Sequence, residues 1–391
     1  MSKFNEIQKL IAQLPADFKT EEVALENAYN RILQKDVLAD MDMPPFNKSA
    51  MDGYACHLED IGNKLEVLEV LQAGMMPTKK VGKNQCSKIM TGAAVPAACD
   101  CVFKIEDSEN YGKNHVVCIN PKTAKNICYQ GEDYQTGDVL LKKGTLVNVS
   151  QIAVLAGAGY TKVKVSVMPK ITVIATGSEL VDPHKKPQPG QIRNSNASQL
   201  ITQLRKMNVE VTEDKLVSDD YEKLTHVFIQ ALKDNDIVFF TGGASFGDFD
   251  FIPGILKKQE FNVFWETTGM KPGNPMSFSQ KNNKYCFGLS GNPVSSLIQF
   301  EFLAKPLIYK LLGANYTPLR IKAKMGFDYF RKKADRFGVV PVIIGNEGDI
   351  EAIPFHGSAH INALTFANAL LEVPLEETNI NKGEMAYVRP L

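Results

Sequence analysis

The run Thr241-Gly242-Gly243-Ala244-Ser245-Phe246-Gly247-Asp248-Phe249-Asp250 follows the apolar stretch Ile237-Val238-Phe239-Phe240, so a buried strand ends in a glycine-rich turn with two carboxylates. Glycines let backbone amides approach an anion closely, and carboxylates hold the divalent cation that accompanies a pyrophosphate. Thr176-Gly177-Ser178-Glu179-Leu180 and Ser218-Asp219-Asp220 follow two further apolar runs. If these runs are neighbouring strands, Glu179, Asp219, Asp248 and Asp250 meet at one sheet edge, an arrangement that is costly unless a cation sits among them. Taken singly, each acid is equally a helix N-cap or a solvated turn residue, above all Asp219 or Asp220 before a helix.

Gly288-Leu289-Ser290-Gly291-Asn292-Pro293-Val294-Ser295-Ser296 is a second glycine turn, and it leads from an apolar strand into a helix with proline in its first turn. Its amides suit an oxyanion, and an ordinary capped turn is the bland alternative. Lys271-Pro272-Gly273-Asn274-Pro275 adds a cation on a rigid turn; the bland alternative there is a surface lysine.

The elements that must position these groups alternate. Strands over 171–175, 210–217 and 237–240 are separated by helices over 195–207 and 221–233, with a helix over 252–258 next. This order predicts a parallel sheet covered by helices, with ligands beyond the carboxyl ends of its strands. Strands near 261–265, 276–279 and 285–289 and a long helix over 293–312 complete the unit, which Gly313 stops. Upstream, Ile7, Leu10, Ile11 and Leu14 have helical spacing, and helical character continues over 22–33 until Pro44-Pro45. Residues 51–133 read as a small β-rich domain with strands near 65–70, 101–105 and 116–119. Ser150 caps a helix through 152–155; if that helix packs with the first forty residues, the β-rich unit is an insertion in a helical domain. After Pro318 short β-like runs return, and a small barrel or sandwich is expected. The fold class is therefore α/β multidomain: a helical domain (1–50 and 134–168), an inserted β-rich domain (51–133), a central parallel-sheet α/β domain (169–313) and a C-terminal small β-barrel (314–391).

Composition narrows the partners. Lys plus Arg (44) equals Asp plus Glu (44), so bulk charge suggests no nucleic-acid or membrane surface. No apolar stretch is long enough to span a bilayer, and the N-terminus lacks a signal-peptide core; the expected location is cytoplasmic. The seven cysteines include no CxxC pair and read as reduced thiols, with Cys99-Asp100-Cys101 as two small residues on one strand face. Six scattered histidines disfavour a zinc hydrolase or a serine triad.

Taken in order, Ser49-Ala50-Met51-Asp52-Gly53-Tyr54-Ala55, Met90-Thr91-Gly92-Ala93, Ala175-Thr176-Gly177-Ser178-Glu179-Leu180, Gly242-Gly243-Ala244-Ser245-Phe246-Gly247-Asp248 and Gly291-Asn292-Pro293-Val294-Ser295 resemble the molybdopterin molybdenumtransferase family, which includes the E domain of gephyrin. The resemblance covers nearly the whole chain. It implies insertion of molybdate into adenylylated molybdopterin with release of AMP, dependent on Mg²⁺. It also implies an elongated homodimer of four-domain subunits, whose cleft lies between the α/β domain of one subunit and the inserted domain of the other. Molybdopterin adenylyltransferase and apo-molybdoenzymes are the implied protein partners.

Carried over residue by residue, the resemblance assigns catalysis to Asp52, Thr91, Asp133, Glu179, Asp219 and Asp250, and the metal to Glu179, Asp219 and Asp250. Substrate falls to Gly242, Gly243, Ser245, Lys271, Gly291, Asn292, Pro293 and Ser295. Three places depart from the family pattern: Cys128-Tyr129-Gln130 where arginines are common, Asn274 where a second lysine is usual, and Ser290 where a proline stands. Their charge changes lower the positive potential toward an anionic substrate. Two other readings stay open: a non-catalytic molybdopterin-binding or scaffolding paralogue, and an enzyme sharing only the α/β unit, such as an adenylyltransferase or a nucleotide pyrophosphatase. The insert motifs and the C-terminal β segment speak against the last.

Overall fold

The computed structural model describes residues 2–120, 122, 125–243 and 250–391. They form two compact units, one of residues 1–35, 143–149 and 162–391, the other of residues 36–142 and 150–161.

The first unit is built on a six-stranded sheet. Its elements are β1 (Ile171–Thr176), α1 (Asn196–Lys206), β2 (Val211–Val217), α2 (Tyr221–Asp234), β3 (Ile237–Thr241), α3 (Ile252–Lys258), β4 (Asn262–Thr267), β5 (Pro275–Lys281), β6 (Lys284–Leu289) and α4 (Pro293–Gln299). The spatial order is β2-β1-β3-β6-β5-β4. The first four are parallel, as the alternation predicts, and β5 and β4 add an antiparallel edge. Side chains alternate between two cores with period two. Ile171, Val173, Ala175, Ile237 and Phe239 face one cluster, and Ile174, Val238 and Phe240 the other. Phe239 and Phe240 are fully buried, each worth about 1.5–3 kcal/mol.

The chain runs from β1 outward to β2, then returns past β1 to β3. The connections after β1 and β3 therefore leave on opposite faces and open a crevice at their carboxyl ends.

The helix expected over 293–312 is interrupted. It runs as α4, then a π turn over Phe300–Ala304, then an α-helix over Lys305–Leu311. Pro306 is the cause. In the π register the carbonyl of Glu301 looks to the amide of residue 306, and proline has none. Arg389 Nη1 donates to that carbonyl instead, at 3.2 Å. The helix stops at Gly313, with φ of +76°.

The amino-terminal helix Lys3–Gln13 starts at a Ser2 cap and buries Phe4, Ile7 and Ile11. The helical reading of 22–33 is wrong: Thr20–Ala24 is a strand, antiparallel to Lys162–Ser166, with only a short 3₁₀ turn after it. The reason lies about 140 residues away, where Val163 faces Val23 and Lys162 approaches Glu22 at 3.9 Å.

The C-terminal segment forms a sheet ordered Met270–Lys271, Phe337–Ile344, Ala369–Val373, Met385–Pro390, Ile321–Lys324, with Ile350–Ala352 beside Phe337–Ile344. Its first strand belongs by sequence to the α/β segment, between β4 and β5, and pairs in parallel as Met270↔Phe337 and Lys271↔Gly338.

The second unit carries its own six-stranded sheet, ordered Cys101–Lys104, Gly53–Cys56, Gln85–Ile89, Lys64–Leu71, His115–Cys118, Ser108–Asn110. The helix Val149–Gly157 groups mainly with this unit, which also holds residues 36–40, and Tyr160, just beyond the helix, hydrogen-bonds both the N–H and the carbonyl of Leu38. Cysteines 56, 86, 99, 101, 118 and 286 are buried and free, and Cys128 is half-buried.

Candidate active site

Two adjoining clefts of about 820 and 640 Å³ open at the carboxyl ends of β1, β3 and β6. Glu179, Gly243, Asp250, Gly291 and Asn292 line both. The smaller adds Thr176, Asn196, Asp219, Gly242 and Pro293, and the larger adds Lys271, Asn274, Ser295, Arg336, His356 and Ser358. The α/β residues singled out by their spacing thus meet at one sheet edge. Ser245 and Asp248 lie outside the described residues.

The loop after β1 carries Glu179 and is tied to the end of β2 through Asp219. Thr176 Oγ1 donates to Asp219 Oδ1 at 2.7 Å, and the Ser178 N–H donates to Asp219 Oδ2 at 3.0 Å. The Asp219 N–H returns a bond to Ser178 Oγ at 3.2 Å. Its neighbour Asp220 takes the other role weighed for the pair, capping α2 by accepting the Lys223 N–H at 2.9 Å. That bond, aided by the Lys223 ammonium, holds the Asp220 carboxyl below its ordinary range.

The two glycine turns abut. Gly242 has φ of +92°, and a Cβ there would lie 2.3 Å from the Thr176 carbonyl oxygen; one on Gly291 would lie 3.7 Å from Gly242 Cα. Only glycine fits the first position. Asn196, in the first turn of α1, donates to the Gly291 carbonyl at 2.9 Å. The Thr241 hydroxyl is buried at the edge of this crevice with no hydrogen-bond partner among the described residues.

The larger cleft also carries the cations. Lys271 is exposed on its turn and forms no ion pair among the described residues. Arg331 also lines it, with three of its guanidinium N–H donors given to the carbonyls of Glu377, Arg336 and Pro374. Arg336 lines it as well; its Nε is buried without a hydrogen-bond partner among the described residues and lies 3.7 Å from the Asp335 carboxylate. Sequence reasoning missed Arg336, His356 and Ser358, which sit on C-terminal segments with no motif spacing. It also missed Asn196 and Gln299, for which a signal exists: polar amides on the buried faces of amphipathic helices.

In the other unit Asp52 and Thr91 are joined. Asp52 Oδ1 accepts the Thr91 N–H and hydroxyl, both at 2.7 Å, which lowers the carboxyl below its usual range. Asp133 is exposed on the turn after Gly131, its N–H bonded to the Met43 carbonyl. Gln130, one departure from the family pattern, reaches Asp42 Oδ2 at 3.0 Å, and the Thr136 N–H and hydroxyl reach the other oxygen. Asn274, another departure, accepts the Gly269 N–H at 3.0 Å.

Three family models match in order along the chain: the MoeA N-terminal region (domain I and II) over 2–159, the probable molybdopterin binding domain over 172–310, and the MoeA C-terminal region (domain IV) over 322–391. A relative from Staphylococcus epidermidis, named molybdopterin molybdenumtransferase, is 35% identical over 97% of this chain and 93% of its own length. The chain belongs to the molybdopterin molybdenumtransferase family. A Staphylococcus aureus member of the same name is also 35% identical, over 94% of this chain and 90% of its own. Among solved structures, the molybdopterin biosynthesis moeA protein of Pyrococcus horikoshii superposes with a TM-score of 0.83 at 28% identity, covering 100% of both chains. A Pyrococcus furiosus molybdenum cofactor biosynthesis protein, 20% identical with a TM-score of 0.63, shares the fold over 100% of this chain and 99% of its own. The α/β multidomain fold read from sequence is thus the fold of this family, and no helix among the described residues is long and apolar enough to cross a membrane.

Proposed function

We propose that this protein is a molybdopterin molybdenumtransferase: it binds adenylylated molybdopterin, cleaves the pyrophosphate with loss of AMP, and delivers molybdate to the dithiolene. It acts in molybdenum cofactor biosynthesis, as membership of the family supports. The observation that carries the reading is the charge lining the two clefts. Lys271 and Arg336 line only the larger cleft and Asp219 only the smaller, while Glu179 and Asp250 line both.

Mg²⁺ fits the carboxylates. Among the described residues no three acids, histidines or cysteines form a cage, but Mg²⁺ is commonly held by one or two carboxylates, several waters and the substrate phosphates. Glu179 and Asp250, which line both clefts, are the proposed holders, and Asp219 keeps a lone pair on each oxygen beyond its two bonds. Bound there, the ion would screen the pyrophosphate's charge. The cations suit molybdate: Lys271 and Arg336 supply charge, and the Gly291-Asn292 turn and the Pro293 helix start supply amides. Gly242 in the smaller cleft and Gly243 in both would bring backbone close to a phosphate, and Ser295 lines the larger cleft.

Asp52, Thr91 and Asp133 remain proposed catalytic residues of the second unit, and the homodimer, the cytoplasmic location and the four-domain division remain proposals with them. The deciding experiment is incubation of purified protein with adenylylated molybdopterin, Mg²⁺ and molybdate. AMP release with formation of molybdenum cofactor is expected; tight pterin binding without AMP release under saturating conditions would establish the non-catalytic alternative instead.

A further inference from the structure

Gln299 closes α4 and is fully buried, so its amide must find its partners within the protein. Oε1 accepts the Ser290 N–H at 2.8 Å, while Nε2 donates to the carbonyls of Gly273 at 3.0 Å and Pro275 at 2.6 Å. A primary amide has two N–H donors, and both are used. The partners lie on two different turns of the larger cleft, one bearing Lys271 and the other Gly291 and Asn292. Gly273 shows how closely the amide is packed: its φ is +99°, and a Cβ there would lie 3.1 Å from Gln299 Cγ.

Ser290 is the other half of the device. A proline at this position, as in the family pattern, has no N–H, so the bond to Gln299 exists only because serine replaces it. The Ser290 hydroxyl then accepts the Asn292 N–H at 3.2 Å, extending the network to the next residue of the turn.

We infer that Gln299 is a positioning residue: it fixes the separation of the Lys271 turn and the Gly291-Asn292 turn, and so holds the larger cleft in register for an oxyanion. The inference rests on the molybdenumtransferase reading for the identity of that oxyanion. Gln299 touches no substrate; it acts through the two turns.

Gln299→Leu removes all three bonds, and it leaves the Ser290 N–H and two carbonyls without their partner. Adding Ser290→Pro deletes the orphaned N–H but leaves the two turns untied. AMP release is measured against molybdate concentration for wild type, Gln299→Leu, the double variant and Ser290→Pro alone, with melting temperature measured in parallel. The expected result is a KM for molybdate raised about tenfold or more in Gln299→Leu, with kcat much less affected, since small misplacements of a binding group are costly. The double variant regains part of the lost melting temperature while its KM stays high, beyond the effect of Ser290→Pro alone. A KM unchanged in Gln299→Leu, or one that recovers together with the melting temperature, overturns the inference. If wild type releases no AMP, the functional reading fails, and calorimetric titration of the same proteins with molybdate decides the clamp by the same tenfold criterion in Kd. Absence of molybdate binding to wild type overturns both.

Discussion

Asp219 and Glu179 are both proposed to serve turnover, yet the structure separates what each does for the fold. Asp219 accepts the Thr176 hydroxyl at 2.7 Å and the Ser178 N–H at 3.0 Å. Hydrogen bonds to a charged group are worth about 1.5–3 kcal/mol each. Asp219→Asn keeps one oxygen for Thr176 but turns an amide N–H₂ toward the Ser178 N–H, donor against donor. One charge-assisted bond is lost, and the expected destabilisation is about 1.5–3 kcal/mol. Asp219→Ala loses both bonds and strands the Thr176 hydroxyl in a residue only 3% exposed, so about 2–4 kcal/mol is expected after water replaces part of the loss. Glu179 makes no side-chain hydrogen bond or ion pair among the described residues, and Glu179→Gln is expected to stay within about 0.5 kcal/mol of wild type. AMP release should nevertheless fall about a hundredfold or more in both Asp219→Asn and Glu179→Gln, if both carboxylates serve the pyrophosphate. Denaturant unfolding followed by fluorescence, beside the AMP assay, tests the contrast. Equal destabilisation of the two variants, or an Asp219→Asn protein as stable as wild type, refutes the reasoning about the tie between β1 and β2.

Further outcomes follow from particular contacts. Glu372, 5% exposed, pairs with the buried Arg389 at 3.2 Å and with Arg320 at 2.7 Å, so Glu372→Ala leaves an uncompensated buried guanidinium and should cost about 3–5 kcal/mol in chemical denaturation. Gly242→Ala forces a Cβ to 2.3 Å from the Thr176 carbonyl at a φ of +92°, and should destabilise by more than about 1 kcal/mol while distorting the crevice enough to abolish AMP release. The Thr91 bonds depress the folded Asp52 carboxyl, so the stabilisation they bring is present above the ordinary carboxylate range and is lost as pH falls through the folded value; Thr91→Val should raise the Asp52 titration midpoint seen by NMR toward that range. Burial pushes Cys86 and Cys99 up to about 12, and only Cys128 of the seven cysteines is not fully buried; a thiol reagent should therefore titrate one cysteine in the native protein and seven in guanidinium chloride.

The central α/β sheet was legible because its signal is local. Ile171, Val173 and Ala175 against Ile174 repeat with period two, glycines and acids punctuate the strand ends, and helices fill the gaps. The convergence of Glu179, Asp219 and Asp250 followed from a rule about strand ends rather than from any one residue. What stayed hidden depends on distant partners. Thr20–Ala24 is a strand only because Lys162–Ser166 lies beside it, and glutamates at 21, 22 and 26 look equally helical without that partner. The break in the long helix had a visible sign in Pro306, but the group that donates to the freed carbonyl, Arg389, lies far along the chain. Arg336 and His356 reach the cleft from irregular stretches of the C-terminal segment whose composition carries no chemistry of its own. In the sequence Gln130 and Asn274 read as lost charge and Ser290 as a lost proline, whereas in the structure each holds a turn by hydrogen bonds.

Met270 and Lys271 leave the α/β segment to become the edge of the C-terminal sheet, and the chain comes straight back as β5. One short run of backbone is therefore a stitch between two sheets. The walls of the larger cleft are not a pair of jaws, because swinging them apart would tear the ladder at Phe337 and Gly338. The same stitch makes residues 314–391 a structural necessity rather than an appendage: cutting them away would bare the strand edge at Met270 and loosen the one lysine on the cationic turn.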